Sequence, residues 1–504
     1  MTRENNTFVR EGSSQDGRNP WIPRQTPEPV KVPSQPKPSP DSNAANLATT
    51  RWLCAAVTLD SDLEHRVIER VLEEEQRAVV TTPGVDLVTV LKYALAAHRR
   101  RVIRDSVLLA DLFAMVITFV VVRSAPLVFV LLVIAWGAVF TERYVALHGP
   151  VLEGLRPGRF DPRKVQSPPR ASYAGRQLQR VAAAGTSGNL TLYSGFPPFR
   201  GYGTVRSSWS FAVDITRPPD SVTRPGQRGK PISFSTLEVY DWVKAGLREL
   251  DLPGLELTDR LFVNGRDIAG DQRFFPDSDG PPATSVDPEL MRDLLAEPEE
   301  WARPYLTIGM TSWQGDLVMT SFVRFLVSRT NLFVEAAHTV VPPLRAAFKA
   351  IDEHDPSPDP GEILGLATRS LFSTLPRLLG SVGTIAHEWG AKGRRARKRR
   401  RVEETRDYGA LTSVRELAAD TRWQRYFQIF DDERFVKVIE QRMFRSLVDF
   451  LKEKNVDTTS LESRAEMLIN NGVMFGDNAN VKGSQVSGSK ARLAGLASRA
   501  GGGD

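Results

Sequence analysis

Cysteine and histidine are scarce in this sequence of 504 residues. Its one cysteine, Cys54, excludes an intramolecular disulfide and any metal site built from several cysteines, and it fits a reducing compartment. None of the six histidines belongs to an HExxH pair or accompanies a nucleophile elbow. Two common types of catalytic centre are therefore excluded by pattern.

Glycine patterns that bind nucleotides are also missing. The GxxxxGK[ST] phosphate loop does not occur, and Gly201-Tyr202-Gly203 lacks the third glycine of a dinucleotide fingerprint. Glu335 and His338 have the E-x-x-H spacing of di-iron bundles, but the second copy is absent, so we expect them to serve packing. The acidic loop at 352–362 could hold a weak divalent cation, although a solvated linker fits it better. The sequence thus predicts no cofactor and no metal, and it leans against an enzyme.

The charge balance is mildly basic, with 66 Lys+Arg against 60 Asp+Glu and a net charge of +6. Such an excess favours an anionic partner only where it is locally concentrated. Hydrophobic residues at 41% and charged residues at 25% exclude a fully disordered chain and a polytopic channel. The length indicates several modules.

Both ends of the chain have the composition of disordered segments. Eight prolines fall between residues 20 and 40, which predicts a disordered Pro-rich tail over residues 1–50. No apolar run follows Arg3 and Arg10, so we expect no cleaved secretory signal and a cytoplasmic N-terminus. Residues 476–504 are rich in Gly, Ser, Asn and Ala and predict a second disordered tail.

The longest apolar run extends from Val107 to Phe140 and contains only Asp111 and Arg123 as formal charges. As one helix it would measure about 51 Å, far more than the ~30 Å hydrocarbon layer. A split at Arg123-Ser124-Ala125-Pro126 gives two helices of about 24 Å, with proline in the first turn of the second. We expect a transmembrane hairpin over residues 105–142. The alternative is a buried core hairpin of a soluble domain.

Arginines flank this hairpin on both sides. Four precede it between residues 99 and 104, and further Arg and Lys residues follow it in the linker at 143–180. Because cytoplasmic flanks are enriched in such residues, we expect both termini in the cytoplasm of a multi-pass plasma-membrane protein. Helical periodicity on both sides of Thr82-Pro83-Gly84 predicts a cytoplasmic helical segment at 51–104, with Glu73, Glu74 and Glu75 on a solvated face.

The middle of the chain changes to the two-residue period of β-strands, which predicts a cytoplasmic α+β domain at 181–350. Trp209 to Ile215 alternates as a half-buried strand. Asn264-Gly265 predicts a tight hairpin, and a second pair of strands is expected around Gln314-Gly315. Thr236 to Leu250 is amphipathic and predicts a helix.

Residues 351–401 combine an acidic loop, an amphipathic segment and a dense basic run. Phe372, Leu375, Leu378 and Leu379 could dip into a membrane surface from a helix that lies flat on it. Anionic lipid is the favoured partner of the basic run, with nucleic acid unlikely because interleaved aromatics are absent, and a merely solvated run is the third possibility. The predicted lipid-binding residues are Lys392, Arg394, Arg395, Arg397, Lys398, Arg399, Arg400 and Arg401.

A helical module is predicted at 402–475. From Asp431 onward, Phe435, Ile439, Met443 and Leu447 form one apolar stripe. An exposed stripe would bind a protein partner, whereas packing inside the module is the more common fate.

Several strings resemble a group of uncharacterised actinobacterial two-span membrane proteins over about residues 50 to 350. The basic run and the C-terminal module lie outside this resemblance. It implies a membrane setting, and no activity or catalytic residue can be transferred from it. The strings are Arg51-Trp52-Leu53-Cys54-Ala55-Ala56, Pro83-Gly84-Val85-Asp86, Phe196-Pro197-Pro198-Phe199, Trp209-Ser210-Phe211-Ala212 and Phe262-Val263-Asn264-Gly265-Arg266-Asp267.

Together these features predict a membrane-anchored α+β multidomain chain with a two-helix transmembrane hairpin. We expect a tether or signalling scaffold with a cytoplasmic protein partner and a polybasic contact to anionic lipid. One alternative is a membrane-bound enzyme whose pocket uses Arg200, Tyr202, Asp214 and Arg266. The other is a subunit of an oligomeric transporter, since two spans cannot enclose a pore alone, and the oligomeric state is left open.

Overall fold

The computed structural model describes residues 40–80, 82–185, 188–219, 230–275, 280–353, 358–420 and 422–470. Most of the predicted Pro-rich tail and all of the predicted tail at 476–504 lie outside these residues. Within the predicted N-terminal tail, the chain is helical from Pro40 onward.

Helices make up most of the described chain. The strands all lie between α6 and α9, with α7 and α8 among them. Two helices end in π-helical turns, α2 at Ile68–Leu72 and α3 at Thr118–Val122. The helices are α1 (Pro40–Leu59), α2 (Ser61–Val67), α3 (Leu87–Ile117), α4 (Ala125–His148), α5 (Pro150–Glu153), α6 (Tyr173–Gly185), α7 (Thr236–Arg248), α8 (Pro288–Ala296), α9 (Ala346–Lys349), α10 (Pro360–Trp389), α11 (Ala391–Thr405), α12 (Val414–Ala418), α13 (Tyr426–Glu453) and α14 (Thr459–Asn470).

Six strands form one sheet in the order β1-β3-β4-β5-β6-β2. β1 and β3 are parallel and the other neighbours are antiparallel. The mixed α+β class is therefore confirmed. The strands are β1 (Leu190–Tyr193), β2 (Thr204–Asp214), β3 (Leu255–Asn264), β4 (Ala302–Ser312), β5 (Leu317–Val327) and β6 (Asn331–Val341).

One face of the sheet is covered by helices α7, α8, α13 and α14, and their side chains share its largest apolar core. Helix α7 begins with a capping box between Ser235 and Glu238, which satisfies backbone donors at the start of the helix. The stripe predicted on the C-terminal helix, including Ile439 and Leu447, is fully buried in this core. The C-terminal helices therefore complete the core of the α+β domain.

The other face of the sheet carries an aromatic cluster. The rings of Phe199 and Phe322 stack with centroids 4.0 Å apart, and Phe262 meets Phe322 edge-on. Beyond this cluster, the face is lined by threonines and lies beside α1 and the loop before α3.

The strand pair around Gln314-Gly315 is confirmed, since β4 and β5 are antiparallel neighbours. The prediction of a hairpin at Asn264-Gly265 is wrong. Strand β3 ends at Asn264, and its neighbours in the sheet are β1 and β4. A Cβ on Gly265 would lie 2.0 Å from the backbone nitrogen of Gly409, so close approach of another chain segment requires glycine here.

Helix α3 crosses the boundary predicted between the cytoplasmic segment and the hairpin at residue 104. It runs from Leu87 through the π-helical turn to Val122, since no proline or glycine interrupts it. The predicted linker at 143–180 contains α5 and the start of α6. On α6, Arg180 donates to the carbonyl oxygens of Val71 and Glu74 at 3.1 and 2.7 Å, which ties this segment to the N-terminal helices.

Candidate functional site

The predicted apolar hairpin forms two adjacent helices, α3 and α4. Arg123 has a left-handed conformation with φ of 54°, Ser124 follows in an extended conformation, and Pro126 lies in the first turn of α4. The helices thus separate at the predicted turn, because a polar pair and a proline end one helix and begin the next.

The apolar tip of this pair, formed by residues 107–140 around the turn at Arg123, exposes apolar side chains. Two helical stretches, Leu87–Val122 and Ala125–Glu153, are long and apolar enough to cross a membrane by length and composition. Only 22% and 11% of their most apolar windows are buried. Phe119 and Phe129 are 73% and 66% exposed. A core hairpin of a soluble domain would bury such residues, so the alternative fits the structure poorly.

Helix α10 runs along this pair. The indole nitrogen of Trp136 on α4 donates to the Ala367 carbonyl oxygen at 3.1 Å. The face of α10 toward the pair is rich in small and hydroxyl side chains, with Ser370, Thr374 and Leu378 buried. Leu378, expected at a membrane surface, instead packs in the cluster of Leu108, Ala135 and Val139.

The outer face of α10 keeps the apolar character that the sequence predicted. Phe372, Leu375 and Leu379 are 79%, 59% and 60% exposed. These side chains add to the apolar surface of the helix pair, so the exposed apolar region involves three helices. Whether α10 lies in a membrane surface stays a prediction.

Paired charges mark the end of the apolar tip. Arg104 donates to Asp105 at 2.7 Å and to Glu142 at 3.0 Å, and Arg377 on α10 lies 3.4 Å from Glu142. These three helices therefore meet in one mostly buried group of ion pairs. Buried charges are tolerated where each has a partner.

Asp111 lies on the same face of α3 as Leu108 and is 6% exposed. This face packs toward the cluster that includes Leu378 of α10. The carboxylate therefore points away from the exposed apolar surface of the tip.

His98 on α3 forms ion pairs with Glu64 on α2 and with Glu388 near the C-terminal end of α10, an arrangement called here the His98 clamp. His98 lies 2.9 Å from Glu64 and 3.0 Å from Glu388. Burial alone would lower the pKa of His98, but hydrogen bonds to Glu388 and Glu64 outweigh it and raise the pKa to about 9. The imidazolium thus holds two carboxylates on different helices at neutral pH.

The eight predicted lipid-binding cations all lie on α11, and the structure divides them between two sides. Arg395 and Lys398 turn inward to Glu73, with nitrogen–oxygen distances of 3.3 and 3.5 Å. The Arg394 guanidinium donates to the His387 carbonyl oxygen, and Arg399 pairs with Glu403 at 2.9 Å. The outward side presents Lys392, Arg397, Arg400 and Arg401, which are exposed and make no ion pair within the described ranges.

The inward side of α11 rests on an acidic group. The Lys398 ammonium lies 3.4 Å from Glu69 and 3.6 Å from Glu74, and the Arg395 guanidinium lies 3.8 Å from the Tyr173 ring centroid. Glu73 is 7% exposed, so the solvated face predicted for Glu73 to Glu75 is wrong at this position. Lys398 and Glu73 are 325 positions apart in sequence, and their pairing fixes the orientation of α11.

A buried polar chain under α13 has the connectivity of a hydrolase triad. The Ser321 hydroxyl lies 2.7 Å from His338 Nδ1, and Glu440 lies 3.0 Å from His338 Nε2. Glu440 also accepts from the Trp209 indole at 2.6 Å. Ser321 is fully buried, and the cavities beside Tyr193 and beside Glu256 are lined by other residues. The chain joins α13 to the sheet.

The residues suggested for an enzyme pocket do not meet. Tyr202 precedes β2, whereas Asp214 ends it, so they are roughly 35 Å apart along the strand. Arg200 donates to the Ser194 carbonyl oxygen at 3.1 Å, and Arg266 lies 3.9 Å from Asp407.

Metal ligands are not gathered in the part of the chain that the structure describes, where no group of three His, Cys, Asp or Glu could hold an ion. Glu335 and His338 lie on opposite faces of β6, since their spacing is odd on a strand.

The chain is therefore a mixed α+β protein. It combines a six-stranded sheet with two long apolar helices, α3 and α4. The chain belongs to the AbeC-like domain family, a family of uncharacterised proteins whose model matches residues 208–482, more than half of the chain. No curated protein and no solved structure matches it. The match includes the basic run and the C-terminal helices, which the sequence resemblance left out. The two-span membrane setting and the actinobacterial origin stay predictions.

Proposed function

We propose that this protein is an integral membrane tether that holds its α+β domain at the cytoplasmic surface and contacts anionic lipid through α11. The observation that carries the proposal is the exposed apolar tip of α3 and α4, joined to a basic helix whose orientation is fixed by ion pairs. The domain would present its surface to a cytoplasmic protein partner.

The tip has the dimensions and composition of a short membrane insertion. Helix α4 is apolar on all sides from Ala125 to Phe140, and a helix of this kind is stable either in a protein core or in lipid. Because its side chains are largely exposed, lipid is the environment that fits. The ion pairs of Arg104 and Arg377 lie where the apolar tip ends, as expected at a headgroup boundary.

The depth of α11 suits a contact with headgroups. His98 lies 24 residues before Val122, about 36 Å from the tip, and its partner Glu388 lies near the end of α10, just before α11 begins at Ala391. A hydrocarbon layer of ~30 Å would end between these levels. Four outward cations near an anionic surface would contribute up to about 4 kcal/mol of attraction before screening by salt.

The membrane part is tested with the full chain expressed in bacteria. We expect it to stay in the membrane pellet after an alkaline carbonate wash, and a reporter fused to the last residue to be active in the cytoplasm. Recovery of the chain in the supernatant would reject the tether, and an exported reporter would reject the topology.

The lipid part is tested in nanodiscs by hydrogen exchange of α11. We expect slower exchange on anionic than on neutral lipid, and we expect the difference to disappear when Lys392, Arg397, Arg400 and Arg401 are replaced by Gln. A matched variant should keep the difference. It carries Gln in place of four exposed cations on α7 and α13, namely Arg248, Arg434, Lys437 and Arg445. Equal exchange of wild-type α11 on both lipids would reject the lipid contact.

A further inference from the structure

A groove of about 520 Å³ lies between the second face of the sheet and the segment that leads into α3. Alternate residues of β3 form one side of its floor, and Thr307 and Thr320 of the next two strands continue it. The strand register places Thr258 opposite Thr307 and Gly309 opposite Thr320. Gly309 has open space where a side chain would be, which leaves the centre of the groove free.

Polar atoms without partners converge on this groove. Thr307 and Thr82 are 4% and 6% exposed, and neither hydroxyl has a hydrogen-bond partner within the described ranges. The Nε atom of Arg260 is also unpartnered there. Buried polar groups are almost always hydrogen-bonded, because leaving one unpaired destabilises the fold. Three such atoms in one groove point to a bound molecule that supplies their partners.

The two ends of the groove carry opposite charges. At one end, the Arg260 guanidinium lies 5.8 Å from the Tyr202 ring centroid, and its Nη1 lies 3.4 Å from the Thr191 hydroxyl. At the other end stands Glu256, whose side chain is exposed at the rim of the groove and whose carboxyl group has its pKa raised by partial desolvation. Neither residue forms an ion pair among the described residues. Glu256 and Arg260 are four positions apart on β3, which places their Cα atoms about 13 Å apart.

We infer that this groove binds a small zwitterion of short-peptide size, with its carboxylate on Arg260 and its ammonium on Glu256. The threonine hydroxyls bond the polar backbone between the two charges. An extended tripeptide spans about 10 Å, which is shorter than the roughly 13 Å of strand between the two Cα atoms and leaves both side chains room to reach its ends. Because Thr82 lies in the loop before α3 and Arg260 lies on β3, such a ligand contacts both the segment that leads into α3 and the AbeC-like domain.

Triglycine is the probe, and its binding to the full chain in detergent is measured by calorimetry. N-acetyl-triglycine removes the ammonium, and triglycine amide removes the carboxylate. We expect each blocked peptide to bind at least about tenfold more weakly, since each loses one charged hydrogen bond. No binding of triglycine at about 10 mM, or equal binding of all three peptides, would overturn the inference.

Two charge variants assign the ends of the ligand. In Glu256→Gln, triglycine and N-acetyl-triglycine should bind equally, while Arg260→Gln should remove the preference for triglycine over its amide. If both variants keep the wild-type preferences, the groove is not the site.

Thr307→Val keeps the inference testable if a charge variant fails to fold. It removes an unpaired hydroxyl at nearly constant volume, so the melting temperature should rise while triglycine binding weakens at least about threefold. A higher melting temperature with unchanged binding would contradict the inference.

Discussion

Helices α4 and α13 are both long and rich in apolar residues, yet the structure treats them in opposite ways. On α13, Phe435, Ile439 and Leu447 are almost fully buried against the sheet. On α4, Leu127 and Phe129 are 49% and 66% exposed. The difference lies in the distribution of apolar residues, because α13 from Phe435 onward concentrates them on one buried stripe, whereas α4 is apolar on all sides.

This contrast separates two kinds of apolar sequence. A stripe opposite a charged face specifies a helix that packs on a domain in water, as α13 does with α7 and the sheet. An apolar surface on all sides of a helix that other elements leave mostly exposed favours a non-aqueous environment.

The same substitution at Leu447 and Leu132 should have very different effects. Leu447→Ala leaves a cavity in a fully buried site and should reduce the free energy of unfolding by about 3–4 kcal/mol. Leu132 is 38% exposed, so Leu132→Ala should cost less than about 1 kcal/mol in detergent. Chemical denaturation of the two variants tests this, and similar losses would contradict the contrast.

A charge at the middle of the apolar tip should oppose membrane insertion. Val133→Arg should cost about 3 kcal/mol of insertion free energy, because a cation at the centre of a bilayer is poorly solvated. The inserted fraction is measured with a glycosylation or reporter assay. Gln441→Arg on the exposed side of α13 is the control and should leave insertion unchanged.

Asp432 is a buried carboxylate on α13. Burial raises its pKa to about 6, an effect that Arg206 and His338 only partly offset. Because this pKa lies above the unfolded value, the stability that protonation contributes is complete below about pH 4 and is lost as the pH rises to 6. Asp432→Asn should therefore raise stability by about 2 kcal/mol at pH 7.5 and by much less at pH 4. Melting curves at both pH values test this, and an equal gain at both would contradict it.

The His98 clamp should weaken at alkaline pH. Its folded pKa of about 9 lies above the unfolded value, so its contribution is complete below about pH 6.5 and is lost as the pH rises through 9. We expect hydrogen exchange in the second half of α10 to accelerate over this range, corresponding to about 1 kcal/mol after screening. His98→Gln should remove the pH dependence, whereas the exposed His65→Gln should keep it.

Local pattern predicted much of the fold. The turn at Arg123, the helix at Thr236 and the strand pair around Gln314-Gly315 all depend on neighbouring residues, and the structure contains each of them. The stripe of α13 was also readable, because its spacing follows the helical period.

The failures share one cause, which is contact between distant segments. Gly265 was interpreted as a turn residue, but the backbone of Gly409 lies against it. The division of the basic run into two sides could not be predicted, since it depends on where Glu69, Glu73 and Glu74 lie. The groove beside Arg260 was missed for the same reason, because Thr82 and Thr307 are far apart in sequence.

The amino-acid sequence alone predicted many of the helices and strands, the turn in the apolar run and the concentration of cations, because these properties depend on residues within one or two turns of each other. Which apolar faces are covered, which cations are neutralised and which polar atoms remain unpaired became known only from the folded structure. These outcomes depend on how close in space two chain segments lie when they are hundreds of residues apart in sequence. A local sequence pattern carries no information about that spatial distance.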